Sequence, residues 1–173
     1  MGTRSAQLAS MALLLAAATG CWTHVEREMA ERLDGMEGHL TGLFDAADAV
    51  QAGDDGAYRE AMGDLHKGGE LPGVDAAALG ALHASAKQAL HARGKEDQAS
   101  AITSVASKCA ACHSARGVPA ADLGGDDTLK LGLAALIWQD EPTWQRAVAL
   151  QPSLKDSPDW PTRSAAVAAA LSH

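Results

Sequence analysis

The stretch Cys109-Ala110-Ala111-Cys112-His113 places two thiols three residues apart with a histidine directly after the second. C-x-x-C-H is the attachment signature of a c-type haem. Each thiol can add across one vinyl group of the porphyrin, and the histidine then lies beneath the ring, where it can ligate the iron. A half zinc site, a redox pair of the thioredoxin sort and chance are the competing readings. Zinc needs four ligands, and no second cysteine pair supplies them. A thioredoxin-like pair opens a helix after a strand, and no strand pattern precedes this one. Haem is attached to exported apocytochromes, so the weight of the motif depends on export.

The N-terminus carries the export signal. Arg4 supplies a basic n-region, and Leu8 to Ala18 form an apolar run that includes Met11-Ala12-Leu13-Leu14-Leu15. Such a run is too short to span a bilayer and reads as a secretory signal over residues 1–20. It ends in Ala18-Thr19-Gly20-Cys21, which is similar to a bacterial lipobox, whose cysteine is lipidated and becomes the new N-terminus. The alternative is ordinary cleavage nearby with Cys21 left free. Lipidation is favoured, because a lone exported thiol is otherwise a liability. The three cysteines then divide into one for lipid and two for haem.

Removing the leader takes Arg4, one of 14 basic residues, and none of the 22 acidic ones, so the net charge moves from −8 to −9. That argues against nucleic-acid binding and suits either steering toward a basic redox partner or plain solubility. Aromatic content is 3% with a single Phe, so large core fillers are scarce. A buried porphyrin would fill that gap.

Thr23-His24-Val25-Glu26 forms a capping box. From there Val25, Met29, Leu33, Met36, Leu40, Leu43, Ala47 and Val50 recur at steps of three or four. The spacing predicts an amphipathic helix of about seven turns closing at Gly53. After a turn at Asp54-Asp55-Gly56, a second helix carries Ala57, Tyr58, Ala61, Met62 and Leu65 on one side, and Gly68-Gly69 stops it. Leu71 to Val74 is a loop. Asp75 caps a third helix with Leu79, Leu82, Ala86 and Leu90 inward and Gly94 past its end. A fourth helix, from about Glu96 to Arg116, has the inward stripe Ala99, Ile102, Ala106 (or Val105), Cys109 and Cys112/His113. The expected class is therefore all-α: an antiparallel four-helix bundle over residues 21–117 with the haem motif on a buried face.

Residues 118–173 are expected to form a helical extension packed on that bundle. Gly117 to Asp127 reads as a linker, and Asp127 or Thr128 caps a helix from Leu129 to Gln139. Pro142 suits the first turn of a helix over Thr143 to Leu150. A short alanine-rich helix closes the chain. Trp138, Trp144 and Trp160 lie here and read as packing residues rather than electron relays.

With these residues in view, the chain resembles the class II cytochromes c, the cytochrome c′ group, over roughly Thr23 to Gly117. In that group a four-helix bundle carries C-x-x-C-H near the end of its last helix. It is also similar to bacterial periplasmic cytochromes with M-x-x-H in the first helix, here Met36-Glu37-Gly38-His39. The same relatives have an A-V-x-x-G-D turn, here Ala49-Val50-Gln51-Ala52-Gly53-Asp54. Two departures stand out: the chain runs some sixty residues past His113, and the basic residue after the motif, Arg116, comes one position early.

The resemblance implies one covalent haem c, with Cys109 and Cys112 as its attachment points and His113 as proximal ligand. In the low-spin relatives a first-helix Met supplies the sixth ligand, roughly four and a half turns before the turn glycine. Counting back from Gly53 lands beside Met36, the favoured ligand, and His39, one turn on, is the alternative. A register slip to Leu33 would leave the site open. Met36 also suits plain core packing, and His39 the edge of the stripe. His66, His83 and His91 read as surface or flanking residues.

The expected function is electron carriage by a monohaem cytochrome, lipid-anchored through Cys21 on the periplasmic side, with the outer membrane the expected location and other redox proteins as partners. A gas-binding protein with an open sixth site and a haem subunit of a respiratory complex are the alternatives. No nucleophile arrangement or second metal motif marks an enzyme. Cytochromes c′ often pair through their first two helices, which makes a homodimer one expected assembly.

Overall fold

The computed structural model describes residues 37–69, 74–116, 127–154 and 157–173, and among them every regular element is helical. The leader, Cys21, the Thr23–Glu26 capping box, Leu33, Met36 and the 117–126 linker lie outside the described residues. In chain order the helices are α1 (residues 37–52), α2 (Asp55–Lys67), α3 (Ala76–Ala89), α4 (Gly94–Arg116), α5 (Thr128–Trp138), α6 (Glu141–Leu150) and α7 (Trp160–Ser172). A short 3-10 turn, Pro152–Leu154, follows α6 and buries Leu154. The sequence does not announce it.

An aspartate opens α2, α3, α5, α6 and α7. Asp54 accepts from the amides of Gly56 and Ala57 at 2.9 and 3.0 Å, and Asp75 from those of Ala77 and Ala78 at 2.6 and 3.2 Å. Asp127, Asp140 and Asp159 do the same for α5, α6 and α7. Each cap satisfies amides that have no partner within the helix and sets a carboxylate at the positive end of the helix dipole, worth about 1 kcal/mol. At α5 the cap is Asp127, which resolves the choice with Thr128. Gly53 and Gly94 take φ of +70° and +72°, the left-handed region open to glycine, at the reversals into α2 and α4. The fourth helix thus begins at Gly94, two residues before the position its polar N-terminus suggests.

Among the described residues most predicted stripe positions are buried or half-buried, whereas Ala57 is exposed. Leu43, Ala46, Ala47 and Val50 of α1 meet Tyr58, Met62 and Leu65 of α2, Leu82 and Ala86 of α3, and Ala99, Ile102, Val105 and Ala106 of α4 in one core. Polar ties set the directions of the helices. Tyr58 near the start of α2 donates to the Ala89 carbonyl at the end of α3 at 3.0 Å. Lys95 at the start of α4 donates to the Gln51 carbonyl at the end of α1 at 3.0 Å, and Gln98 to Asp55 at 2.7 Å. The start of α4 therefore lies beside the end of α1 and the start of α2, and the start of α2 beside the end of α3.

The residues after 127 do more than pack onto the outside. Leu129 and the run from Leu131 to Ile137 are all buried, so α5 is apolar on every side. A helix of that kind can be stable only inside a protein. It lies against α4, α6 and α7, and α7 in turn packs on α4. Gly132 permits the close approach: a Cβ there would stand 3.1 Å from Val167 Cγ2 of α7. The sequence-predicted extension is therefore continuous with the core of α1–α4.

Candidate cofactor site

Cys109, Cys112 and His113 occupy the last two turns of the 23-residue α4. They continue the buried stripe of Ile102, Val105 and Ala106, so a rigid helix already docked on α3, α5 and α7 carries them. Both thiols are free and partly exposed. Burial, reinforced by the neighbouring Cys112, pushes the Cys109 thiol up to about 12. The negative end of the helix dipole also opposes a thiolate here. Reactive dithiol pairs need the reverse, a lowered pKa in an electropositive setting such as a helix N-terminus. A Cys109 thiol held in its neutral form does not suit the nucleophile of a redox dithiol.

His113 is buried, and desolvation lowers its pKa, so its imidazole is neutral as a metal ligand must be. Its Nδ1 is buried without a hydrogen-bond partner. Beside it lies Trp138, the last residue of α5, with ring centroids 5.2 Å apart and planes tilted by 57°. Trp138 Nε1 is likewise buried without a partner. Two orphaned nitrogens at one spot cost about 1–3 kcal/mol each, unless something outside the chain relieves them. The donor chemistry fits a covalent haem: two free thiols at the attachment spacing, then a neutral imidazole. Among the described residues no group of three or more His, Cys, Asp or Glu is placed to hold a metal ion. A porphyrin brings its own equatorial nitrogens and asks the chain for axial ligands alone.

The histidines of α1, α2 and α3 converge. His39 meets His83 edge to face, with ring centroids 5.9 Å apart, and His66 Nδ1 lies 3.2 Å from the His83 carbonyl oxygen. The His39 ring lies close over Gly68: a Cβ there would fall 2.5 Å from His39 Nε2, so the ring would have to shift to admit one. Desolvation first, then the neighbouring His83, lowers the His39 pKa, and desolvation, then His66, lowers that of His83. His39 and His83 are therefore neutral near pH 7. His66 and His83, read as surface or flanking residues, are half-buried beside His39, and His91 is exposed.

The structure thus brings Cys109, Cys112 and His113 together on one helix end and sets Trp138 against them. It places His39 between Gly68 and His83, and Met36 lies outside the described residues. Trp138 carries no motif, and periodicity within α5 shows only that the helix is buried, not which neighbour it meets. No protein-family model, curated protein or solved structure matches the chain.

Proposed function

We propose that this chain is a monohaem c-type cytochrome, built on an antiparallel bundle of α1–α4, that carries single electrons between periplasmic redox proteins. The observation that supports it is the state of the C-x-x-C-H segment: two unpaired thiols and a buried neutral imidazole with an unsatisfied nitrogen, on one helix end. Cys109 and Cys112 would hold the porphyrin and His113 would be the proximal ligand. When bound, haem iron supplies a one-electron couple whose potential depends on the axial ligands and on burial. The chain's own contribution is to exclude water around His113 and to keep its ring neutral.

For the sixth position Met36 remains the favoured ligand and His39 the alternative. His39 already spends one side of its ring on His83 and its Nε2 edge on Gly68, which favours Met36. A leader over residues 1–20 followed by Cys21 supports a lipid anchor on the periplasmic side, and the net acidic charge would steer basic partners. Among the described residues Leu150, 47% exposed, is the one large apolar side chain at the surface.

Optical spectra of the purified protein, oxidised and dithionite-reduced, with and without CO, test this reading. A sharp low-spin reduced spectrum indifferent to CO is expected, with Met36→Ala opening the site and His39→Ala leaving it closed. A high-spin spectrum that shifts fully on CO would instead identify a gas-binding protein. A colourless protein would overturn the haem assignment.

A further inference from the structure

We infer that Trp138 is a positioning residue for the proximal histidine: the indole at the end of α5 fixes the rotation of the His113 ring and closes that side of it to water. The inference rests on the haem reading above and deepens it. Three observations carry it. The two rings are in contact at 5.2 Å with a 57° tilt, and they come from different helices, so the contact is tertiary and not a consequence of helical spacing. His113 Nδ1 has no hydrogen-bond partner in the chain. The ring nitrogen that usually orients a metal-bound histidine is therefore unanchored, and packing must do what a second hydrogen bond does elsewhere. Finally, Trp138 is itself held firmly, because the preceding run Leu131 to Ile137 is buried and Gln139, at φ 49°, ends α5 directly after it.

An aromatic wall against an imidazole acts in two ways. It removes alternative rotations of the ring about its Cβ–Cγ bond, so the axial ligand presents one orientation to the iron. It also keeps water from the ligand, and a drier axial site disfavours the more highly charged ferric state. Loss of the indole should therefore broaden the ligand-orientation signature and lower the reduction potential, whereas Phe, which retains a flat ring, should restore both.

The experiment uses the full-length, haem-loaded protein, with haem content measured first by pyridine haemochrome. Trp138→Leu, Trp138→Met and Trp138→Phe are compared by redox titration and by electron paramagnetic resonance of the ferric state. Two ring-free variants are included so that one can be read if the other does not accumulate. The expected result is a lowered potential and shifted, broadened g-values in Leu or Met, with Phe close to the unsubstituted protein. Wild-type potentials and g-values in a haem-replete Leu or Met variant would overturn the inference. So would a Phe variant displaced as far as they are, since a flat ring would then not be what matters. Absence of covalent haem from the unsubstituted protein would overturn the haem reading, and this inference with it.

Discussion

Arg163 of α7 grips Glu141 of α6 with both terminal nitrogens, Nη1 to Oε2 at 2.6 Å and Nη2 to Oε1 at 3.2 Å. Its Nε donates to the Ser157 carbonyl at 3.0 Å, and its guanidinium lies 4.4 Å from the Trp160 ring centroid and 5.0 Å from that of Trp144. The arginine side chain is only 10% exposed, although the carboxylate it holds is 53% exposed. Trp144 and Trp160 both pack against the cation that ties α6 to α7.

Arg163→Lys should therefore be far from conservative. Lysine keeps the charge but loses the planar fork and the stacking on two indoles. We expect a loss of about 1–3 kcal/mol, mostly from packing and cation–π contact rather than from the exposed ion pair. Urea unfolding followed by circular dichroism would show it, and an unchanged midpoint would mean that the clamp adds little.

Stability should fall in mildly acidic solution, before the carboxylates titrate. His39 and His83 have folded pKa values below their ordinary 6.5, so below that pH the unfolded chain binds more protons than the folded one. Their contribution is complete above 6.5 and is lost as pH falls from there through the lowered folded values. Urea midpoints measured from pH 8 to pH 5 should decline across this window, and the decline should flatten in His83→Gln. A flat profile in the unsubstituted protein would contradict the burial of these two rings.

Two glycines in helices should respond differently to alanine. Nothing lies within 4 Å of a Cβ built on Gly80, so Gly80→Ala should gain about 0.5–1 kcal/mol from helix propensity. Gly132 faces Val167 at 3.1 Å, so Gly132→Ala should gain nothing, and Gly132→Leu should cost about 1–3 kcal/mol by prying α7 from α5. Thermal melts of the three variants give the ordering directly.

Replacing Cys109 and Cys112 together by Ser should abolish covalent haem, read by haem staining on a denaturing gel, and leave a poorly folded chain. A stable, fully folded apoprotein with unchanged helix content would show that the porphyrin is no part of the core.

Cys21→Ser should move the protein from the membrane fraction to the soluble periplasm after fractionation of expressing cells. Unchanged membrane association would count against a lipid anchor at that residue.

Much of the local structure is legible in the sequence, because its causes are local. An aspartate before an apolar run caps a helix by hydrogen-bonding amides two and three residues on, and so Asp75 is recognisable as a cap from the sequence, whereas the choice between Asp127 and Thr128 needed the structure. Steps of three and four put Tyr58, Met62 and Leu65 on one face whatever that face meets, and C-x-x-C-H carries its chemistry in its spacing. The structure alone decided what each face meets. The all-round apolarity of α5 shows that it is enclosed, but only packing shows that α4, α6 and α7 enclose it. Trp138 against His113, His39 against His83, and Arg163 against Trp144 each join residues from different helices. Helical periodicity orients a side chain about its own axis and is silent on the rotation, direction and depth of the neighbouring helix, which the whole core sets at once.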